Sequence, residues 1–175
     1  MSKNVKDYVV TIPDFPEEGV MFRDITSVLN DADGLKLAID EMVEALKDVD
    51  FDVIVALESR GFIFGMPLAY LLHKRFVPIR KKGKLPRETV EKSYDLEYGQ
   101  ATIEVHKEDL APGEKVVIVD DLIATGGTLK AAAELVEQLG CKIEKILVLM
   151  ELEGFHAREI MKEYDITSII SYEGK

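Results

Sequence analysis

Apolar and polar positions follow two different periods along the chain, and each period predicts one kind of element. Within 31–50 the apolar residues stand at 35, 39, 42, 43 and 46, and within 128–139 they stand at 129, 132, 133, 136 and 139. This spacing is typical of amphipathic helices. A mostly buried helix is predicted at 61–74 and a short helix at 155–164. Strands, including short apolar runs of the kind found in buried parallel sheets, are predicted at 52–57, 76–80, 115–119, 142–150 and 166–172.

The alternation of strands with helices predicts an α/β fold, with a mostly parallel central sheet and helices on both faces. Residues 93–106 alternate in two pieces around 98–100, which indicates a β-hairpin. The sequence has no internal repeat or linker, so we predict a single domain over 1–175. Ligands of such sheets bind beyond the carboxyl ends of the strands. The candidate site segments are therefore 58–61, 80–87 and 120–128.

Composition and charge exclude several classes of protein. Hydrophobic residues make up 47% and charged residues 31% of the chain, an ordinary globular composition. No apolar run approaches the roughly 18 residues of a membrane span, and the first residues lack the pattern of a secretory signal. With one cysteine and no internal disulfide, a cytoplasmic location is predicted. The net charge of −11 argues against nucleic-acid binding, although five of the eight residues in 80–87 are basic.

The segment 124–128 has the chemistry of an anion site. It directly precedes a predicted helix, where unpaired N–H groups and the positive end of the helix dipole attract an anion. Its glycines allow positive φ and a close approach of the ligand to the backbone. We predict that a phosphate monoester is bound by Ala124, Thr125, Gly126, Gly127 and Thr128.

Asp120 and Asp121 stand just before this segment and would repel the same phosphate. Two neighbouring carboxylates are good acceptors for two vicinal hydroxyls. Together with the segment 124–128 they predict a binding site for a ribose 5-phosphate. A simple turn and helix cap is the alternative, but a cap requires neither both carboxylates nor both glycines. The patterns of a Walker A loop and of a dinucleotide fingerprint are absent from the sequence.

The segment 116–128 resembles the motif that binds 5-phosphoribosyl diphosphate (PRPP) in type I phosphoribosyltransferases. The stretches 15–26, 56–65, 79–86 and 93–110 resemble members of that family that act on adenine. The resemblance implies transfer of the 5-phosphoribosyl group from PRPP to adenine, which gives AMP and diphosphate in purine salvage. It also implies Mg²⁺ held mainly by PRPP, a homodimer, a small N-terminal hood and a mobile β-hairpin lid.

The resemblance further implies roles for individual residues. Ser59 and Arg60 match the family's pyrophosphate loop, and its basic pyrophosphate-binding segment is matched by Arg80, Lys81 and Lys84. The adenine pocket would be formed by Met21, Phe22, Arg23 and Leu152. The catalytic residues would be Glu97, which exchanges a proton with the purine, and Tyr98, which helps to close the lid.

Some of these assignments have alternatives in which the residues have no role in binding or catalysis. Residues 19–25 could be only a buried loop anchor, and Glu97 could be one exposed carboxylate among the 33 acidic residues. At the level of function, the alternatives are transfer to another purine, such as xanthine or guanine, and a PRPP-sensing regulator. Such a regulator would carry an added basic helix-turn-helix domain, for which we expect neither spare length nor a basic face in this chain.

Overall fold

The computed structural model describes residues 3–96 and 98–174. The strands are β1 (Val10–Pro13), β2 (Met21–Asp24), β3 (Val53–Leu57), β4 (Arg75–Lys81), β5 (Thr89–Asp95), β6 (Gln100–His106), β7 (Lys115–Ile123), β8 (Lys142–Leu152) and β9 (Ile166–Tyr172). The α-helices are α1 (Thr26–Leu29), α2 (Ala32–Leu46), α3 (Arg60–Leu71), α4 (Gly127–Gln138) and α5 (Ala157–Ile160). Short 3-10 helices span Val5–Tyr8 and Glu153–Phe155.

Seven strands form the central sheet in the order β5-β6-β4-β3-β7-β8-β9. The pairs β4–β3, β3–β7, β7–β8 and β8–β9 are parallel, whereas β6 is antiparallel to both β4 and β5. The side chains of β7 alternate between two apolar clusters. Val116 and Ile118 pack with residues of α4, while Val117 and Val119 pack with residues of α2 and α3. Helices on both faces of a mostly parallel sheet confirm the predicted fold class.

The helices confirm the periodic pattern, with shifted ends. Helix α2 begins where the Asp31 side chain accepts hydrogen bonds from the N–H groups of Asp33 and Gly34, at 2.9 and 3.0 Å. This cap satisfies donors that the first turn leaves free. The helix ends at Leu46, before the predicted limit at 50. The predicted helix at 155–164 is mostly wrong, because α5 covers only Ala157–Ile160.

Strand β7 continues to Ile123, beyond its predicted end at 119. It stays paired with β8 through Asp120 opposite Val148 and Leu122 opposite Met150. The two adjacent carboxylates therefore lie inside a strand and not in the loop that follows it. Hydrogen bonding to β8 keeps Asp120 and Asp121 in the strand, although in the sequence these two polar residues marked the end of the apolar run.

The β-hairpin predicted at 93–106 is present as β5 and β6, although β5 already begins at Thr89. It joins the central sheet where β6 pairs with β4, with Arg80 opposite Glu104 and Lys81 opposite Ile103. The resemblance also implies that a loop from about 81 to 100 closes over the substrates as the lid, but much of this segment is strand at the sheet edge. Movement of this hairpin as a lid stays a prediction.

The N-terminal residues form a small separate layer. Strands β1 and β2 pair with each other as an antiparallel ribbon outside the central sheet. The ribbon matches the predicted N-terminal hood in place and size, while the extent of one domain over 1–175 stays a prediction. No helix among the described residues has both the length and the apolar character to cross a membrane.

Candidate active site

A cavity of about 600 Å³ lies beyond the carboxyl ends of β3, β4 and β7. Its walls come from the three segments that the sequence singled out, at 58–61, 80–87 and 120–128. Every predicted PRPP-binding residue except Gly127 lines it. The parallel sheet brings these segments together because the carboxyl ends of its strands meet at one edge.

The conformation of the predicted phosphate loop, residues 124–128, requires glycine at one of its two glycine positions but not at the other. Gly126 has φ +85° and precedes α4, and a Cβ there would lie 3.0 Å from Ala157 Cβ and 3.1 Å from Met161 Sδ. Gly127 is the first residue of α4. A Cβ on it would meet only Thr125 Oγ1, at 3.9 Å. The expectation that both glycines serve a positive φ is therefore wrong for Gly127.

The two adjacent carboxylates both line the cavity but differ in their surroundings. Asp121 is 4% exposed, and its Oδ2 lies 2.9 Å from Arg60 Nε. That oxygen is buried and has no hydrogen-bond partner within the described part of the chain. Asp120 Oδ1 accepts a hydrogen bond from the N–H of Asp121 at 2.8 Å. Burial, and then the neighbouring Asp121 carboxylate, raise the pKa of Asp120 well above its ordinary value.

Gly61, which the sequence analysis gave no role, lets α3 start close to this pair. A Cβ at Gly61 would stand 3.0 Å from Asp120 Oδ1 and 3.1 Å from the backbone oxygen of Val119. A side chain there would push α3 away from β7. The signal in the sequence was the glycine at the first turn of a helix, where glycine is otherwise unfavourable.

Glu58 was also missed, and it organises the basic end of the cavity. Its side chain is 8% exposed and lies 2.7 Å from Arg80 Nη2 and 3.2 Å from Lys84 Nζ. The N–H of Lys81 donates to it at 3.3 Å. Burial raises the pKa of Glu58, but hydrogen bonds from these partners outweigh burial, and the pKa is lowered overall. Two cations of the predicted diphosphate site therefore share one buried counterion.

A second buried carboxylate, Glu104, holds the turn that carries Lys84. One of its oxygens accepts hydrogen bonds from the N–H groups of Gly83, Lys84 and Leu85, at 3.0 to 3.1 Å. Burial raises the pKa of Glu104, and these backbone donors lower it by more. The basic segment 80–87 is thus folded onto two internal anions, whereas the sequence alone could not distinguish it from a solvated loop.

The predicted adenine-binding residues are not among those that line the cavity. Phe22, in β2, packs edge-on against Phe15 with ring centroids 5.1 Å apart. The guanidinium of Arg23 lies 4.2 Å from the ring centroid of Tyr172, and Tyr172 pairs with Leu152 in the sheet. The first of the four, Met21, is exposed on β2. Their role in binding the base stays a prediction.

Of the two predicted catalytic residues, Glu97 lies outside the described residues. Tyr98 is 89% exposed and does not line the cavity. A different tyrosine of the hairpin, Tyr94, reaches the phosphate loop, since its hydroxyl accepts a hydrogen bond from Thr128 Oγ1 at 3.3 Å. The described residues contain no cluster of three His, Cys, Asp or Glu side chains that could hold a metal ion.

Comparison with known proteins agrees with this geometry. The family described as phosphoribosyl transferase domain matches residues 26–174. The chain belongs to this family. The matched region contains every segment that lines the cavity, whereas Met21, Phe22 and Arg23 precede it. The match to the family therefore covers every segment that lines the cavity, and β1 and β2 lie outside the matched region.

Named relatives are similar over nearly the whole length of this phosphoribosyltransferase. An adenine phosphoribosyltransferase of Agathobacter rectalis is 65% identical over 99% of both chains. A crystal structure of the adenine phosphoribosyltransferase of Thermoanaerobacter pseudethanolicus superposes with a TM-score of 0.91 at 49% identity, covering 96% of this chain and 98% of that one. The Saccharomyces cerevisiae enzyme, solved with an iminoalditol bisphosphate and adenine, has a TM-score of 0.88 at 39% identity over 95% and 96% of the two chains.

Proposed function

We propose that this protein transfers the 5-phosphoribosyl group from PRPP to adenine and forms AMP and diphosphate in purine salvage. The observation that carries the proposal is the single cavity in which a helix start, two carboxylates and a basic segment face one another. These three features complement the phosphate, the diol and the diphosphate of one substrate. The relatives named as adenine phosphoribosyltransferases supply the identity of the base.

In this mechanism the chain fixes PRPP at three points. Backbone donors and hydroxyls of 124–128 hold the 5′-phosphate at the start of α4. The ribose hydroxyls face Asp120 and Asp121. The diphosphate faces Arg60, and its remaining ligands are Ser59, Arg80, Lys81 and Lys84. Positive charge placed where the leaving group develops negative charge lowers the barrier.

The reaction forms the bond from adenine N9 to C1 of the ribose and breaks the bond from C1 to the diphosphate oxygen. Glu97 exchanges a proton with the purine as N9 attacks, and Tyr98 helps the hairpin to exclude water. For the base, we assign Met21, Phe22, Arg23 and Leu152 to the pocket. Their position outside the sugar-phosphate cavity suits a second subsite for a separate substrate.

Mg²⁺ fits the donors at the ribose end of the cavity. Asp121 Oδ2 is buried, accepts no hydrogen bond from the described residues and lies 2.9 Å from Arg60 Nε. It is an oxygen donor of the type that Mg²⁺ prefers. We propose that PRPP brings the ion and that Asp120 and Asp121 orient it through the ribose hydroxyls or bound water. The ion, when bound, neutralises charge on the diphosphate.

We also propose that the protein is a homodimer. One face of α3 exposes Ile63, Met66 and Tyr70 at helical spacing, and Tyr70 is 83% exposed. Exposed apolar side chains in a contiguous row mark surfaces that pack against a partner. Because α3 begins at Arg60 of the diphosphate loop, a second copy on this face would adjoin the active site.

A nucleobase panel tests the function. The purified protein is incubated with PRPP, Mg²⁺ and adenine, guanine, hypoxanthine or xanthine, and nucleotide formation is followed by chromatography. We expect AMP from adenine and far slower turnover of the other bases, with the rate abolished by a chelator and restored by added Mg²⁺. Turnover of xanthine alone would change the base assignment. Turnover of no base would leave the PRPP-sensing regulator as the better interpretation.

A further inference from the structure

One hydrogen bond connects the hairpin to the phosphate loop. Thr128 Oγ1 donates to the hydroxyl of Tyr94 at 3.3 Å. Thr128 belongs to the first turn of α4 and lines the cavity, while Tyr94 lies near the end of β5. The next residues form the hairpin turn, in which the N–H of Leu96 donates to the backbone oxygen of Gly99, and Tyr98 lies between these two in the sequence. A ligand of the phosphate and the base of the hairpin turn are therefore direct neighbours.

The Tyr94 ring is held in place by packing as well as by pairing. It is partly buried against the apolar cluster that includes Leu129 of α4, and the residue pairs with Ala101 across the hairpin. An ion pair also connects the hairpin to α4, since Lys92 Nζ lies 3.0 Å from Glu134 Oε2. The hydroxyl of Tyr94 is thus presented to Thr128 by a ring with little freedom.

We propose that Tyr94 is a positioning residue that couples occupancy of the 5′-phosphate subsite to the place of the hairpin turn. The proposal rests on the proposed function, because it assumes that a phosphate binds at 124–128. No bond is made or broken; only the direction of hydrogen bonds changes.

The coupling follows from the single proton of the Thr128 hydroxyl. Without an anion, that proton goes to Tyr94. A bound phosphate is a stronger acceptor, because hydrogen bonds to charged groups are stronger than neutral ones. The Thr128 hydroxyl therefore donates its hydrogen bond to the phosphate instead of to Tyr94. The Tyr94 hydroxyl then donates to Thr128 Oγ1, and a chain of hydrogen bonds polarised by the anion is stronger than its separate members. Phosphate thereby tightens the link between the hairpin and α4, and linkage requires that the link tightens phosphate binding.

Tyr94→Phe removes the hydroxyl and keeps the packed ring. The matched control is Ser93→Ala, because Ser93 Oγ pairs with Thr102 Oγ1 at 2.7 Å inside the hairpin and Ser93 does not line the cavity. We expect Tyr94→Phe to weaken AMP binding in calorimetry by about 3- to 10-fold, the effect of one hydrogen bond. Adenosine, which lacks the phosphate, should bind both variants and the parent equally. In a Thr128→Val background, which also lacks the hydrogen bond from Thr128 to the phosphate, Tyr94→Phe should weaken AMP binding little further, because the link from Tyr94 to Thr128 is already absent.

Amide hydrogen exchange of the hairpin turn gives a readout that does not depend on turnover. The N–H of Leu96 donates to the backbone oxygen of Gly99 at 2.9 Å, so its exchange reports on the turn. AMP should slow exchange in the parent and in Ser93→Ala but not in Tyr94→Phe, while adenosine should slow it in none. Equal slowing by AMP in Tyr94→Phe and Ser93→Ala would overturn the proposal. If AMP changes nothing in any of the three proteins, the coupling is absent, and the nucleobase panel decides separately whether the activity stands.

Discussion

Asp120 is the residue at which the needs of binding and of stability oppose each other. Its carboxylate lies against Gly61 and beside the buried Asp121. Burial and the like charge of Asp121 raise its pKa, so the ionised form is disfavoured in the folded protein relative to the unfolded chain. An ionised Asp120 therefore destabilises the fold at neutral pH.

Asp120→Asn should accordingly stabilise the protein while it impairs PRPP use. The amide oxygen can still accept the hydrogen bond from the N–H of Asp121, but the charge is removed. Below the ordinary pKa of an aspartate, about 3.9, both proteins carry a neutral group and the gain should be small. As pH rises through the raised pKa of the folded state, the parent loses stability and the gain should grow to a plateau.

Thermal unfolding between pH 4 and 8 measures this difference, with Asp48→Asn as the control for one lost surface charge, since Asp48 is exposed. We expect the control to shift the melting temperature little at every pH. A gain for Asp120→Asn that shrinks as pH rises would contradict the assignment of the raised pKa. Unchanged PRPP kinetics would instead contradict its contact with the ribose.

At the residue scale, the sequence could indicate which basic groups line the cavity but not which acidic groups hold them in place. Arg80 and Lys84 stood out because five basic residues in 80–87 are unusual in a chain of net charge −11. Glu58 and Glu104 did not, because an acidic residue becomes informative only when its partners are known. Their partners lie on or next to other strands, and the local spacing of residues does not predict which strands are neighbours in the sheet.

At the scale of elements, β7 and the loop after it form one continuous piece of the site. The strand stays paired with β8 as far as Ile123, and Gly126 then turns the chain into α4. The apolar period located this strand and this helix correctly. It placed the strand end too early, because pairing with a neighbour holds polar residues in a strand that their own preferences would end.

The two glycines of this turn should respond in opposite directions to alanine. Gly126→Ala places a Cβ at φ +85° and within 3.1 Å of two buried side chains, so strain and crowding should cost at least about 1–2 kcal/mol. Gly127→Ala places a Cβ in open space inside a helix, where alanine is more favourable by up to about 1 kcal/mol. At about 2–4 °C per kcal/mol for a chain of this size, we expect a lower melting temperature for the first variant and an equal or higher one for the second.

Differential scanning calorimetry of the two variants checks this prediction, and each serves as the control for the other. A melting temperature that falls equally in both would mean that the loop has another conformation. AMP affinity adds a second readout, since only Gly126→Ala should displace the loop from the phosphate position.

At the scale of the whole molecule, the exposed face of α3 predicts the assembly. Met66 is 51% exposed in the middle of the apolar row. Met66→Glu should therefore place a charge in the dimer contact and yield monomers. Light scattering after size exclusion should give the dimer mass for the parent and a monomer mass for the variant. Val10→Glu, at another exposed apolar position on β1, should remain dimeric; a monomeric parent would remove the dimer proposal.

The central sheet was the most predictable part of the molecule. Buried parallel strands read as apolar runs, and the carboxyl-end rule then located the cavity before any contact was known. The hood was less predictable because β1 and β2 are short and half exposed. Its position relative to the cavity depends on tertiary packing that no local pattern encodes.

The three amides gathered by Glu104 have a consequence for the speed of binding. This turn is already folded around an anion that the chain itself supplies, so no loop has to be ordered when the diphosphate arrives. Association that needs no conformational change is faster than association that waits for one. The arrival of substrate at the basic end should thus be limited by encounter, and any slow step should come from movement of the hairpin formed by β5 and β6.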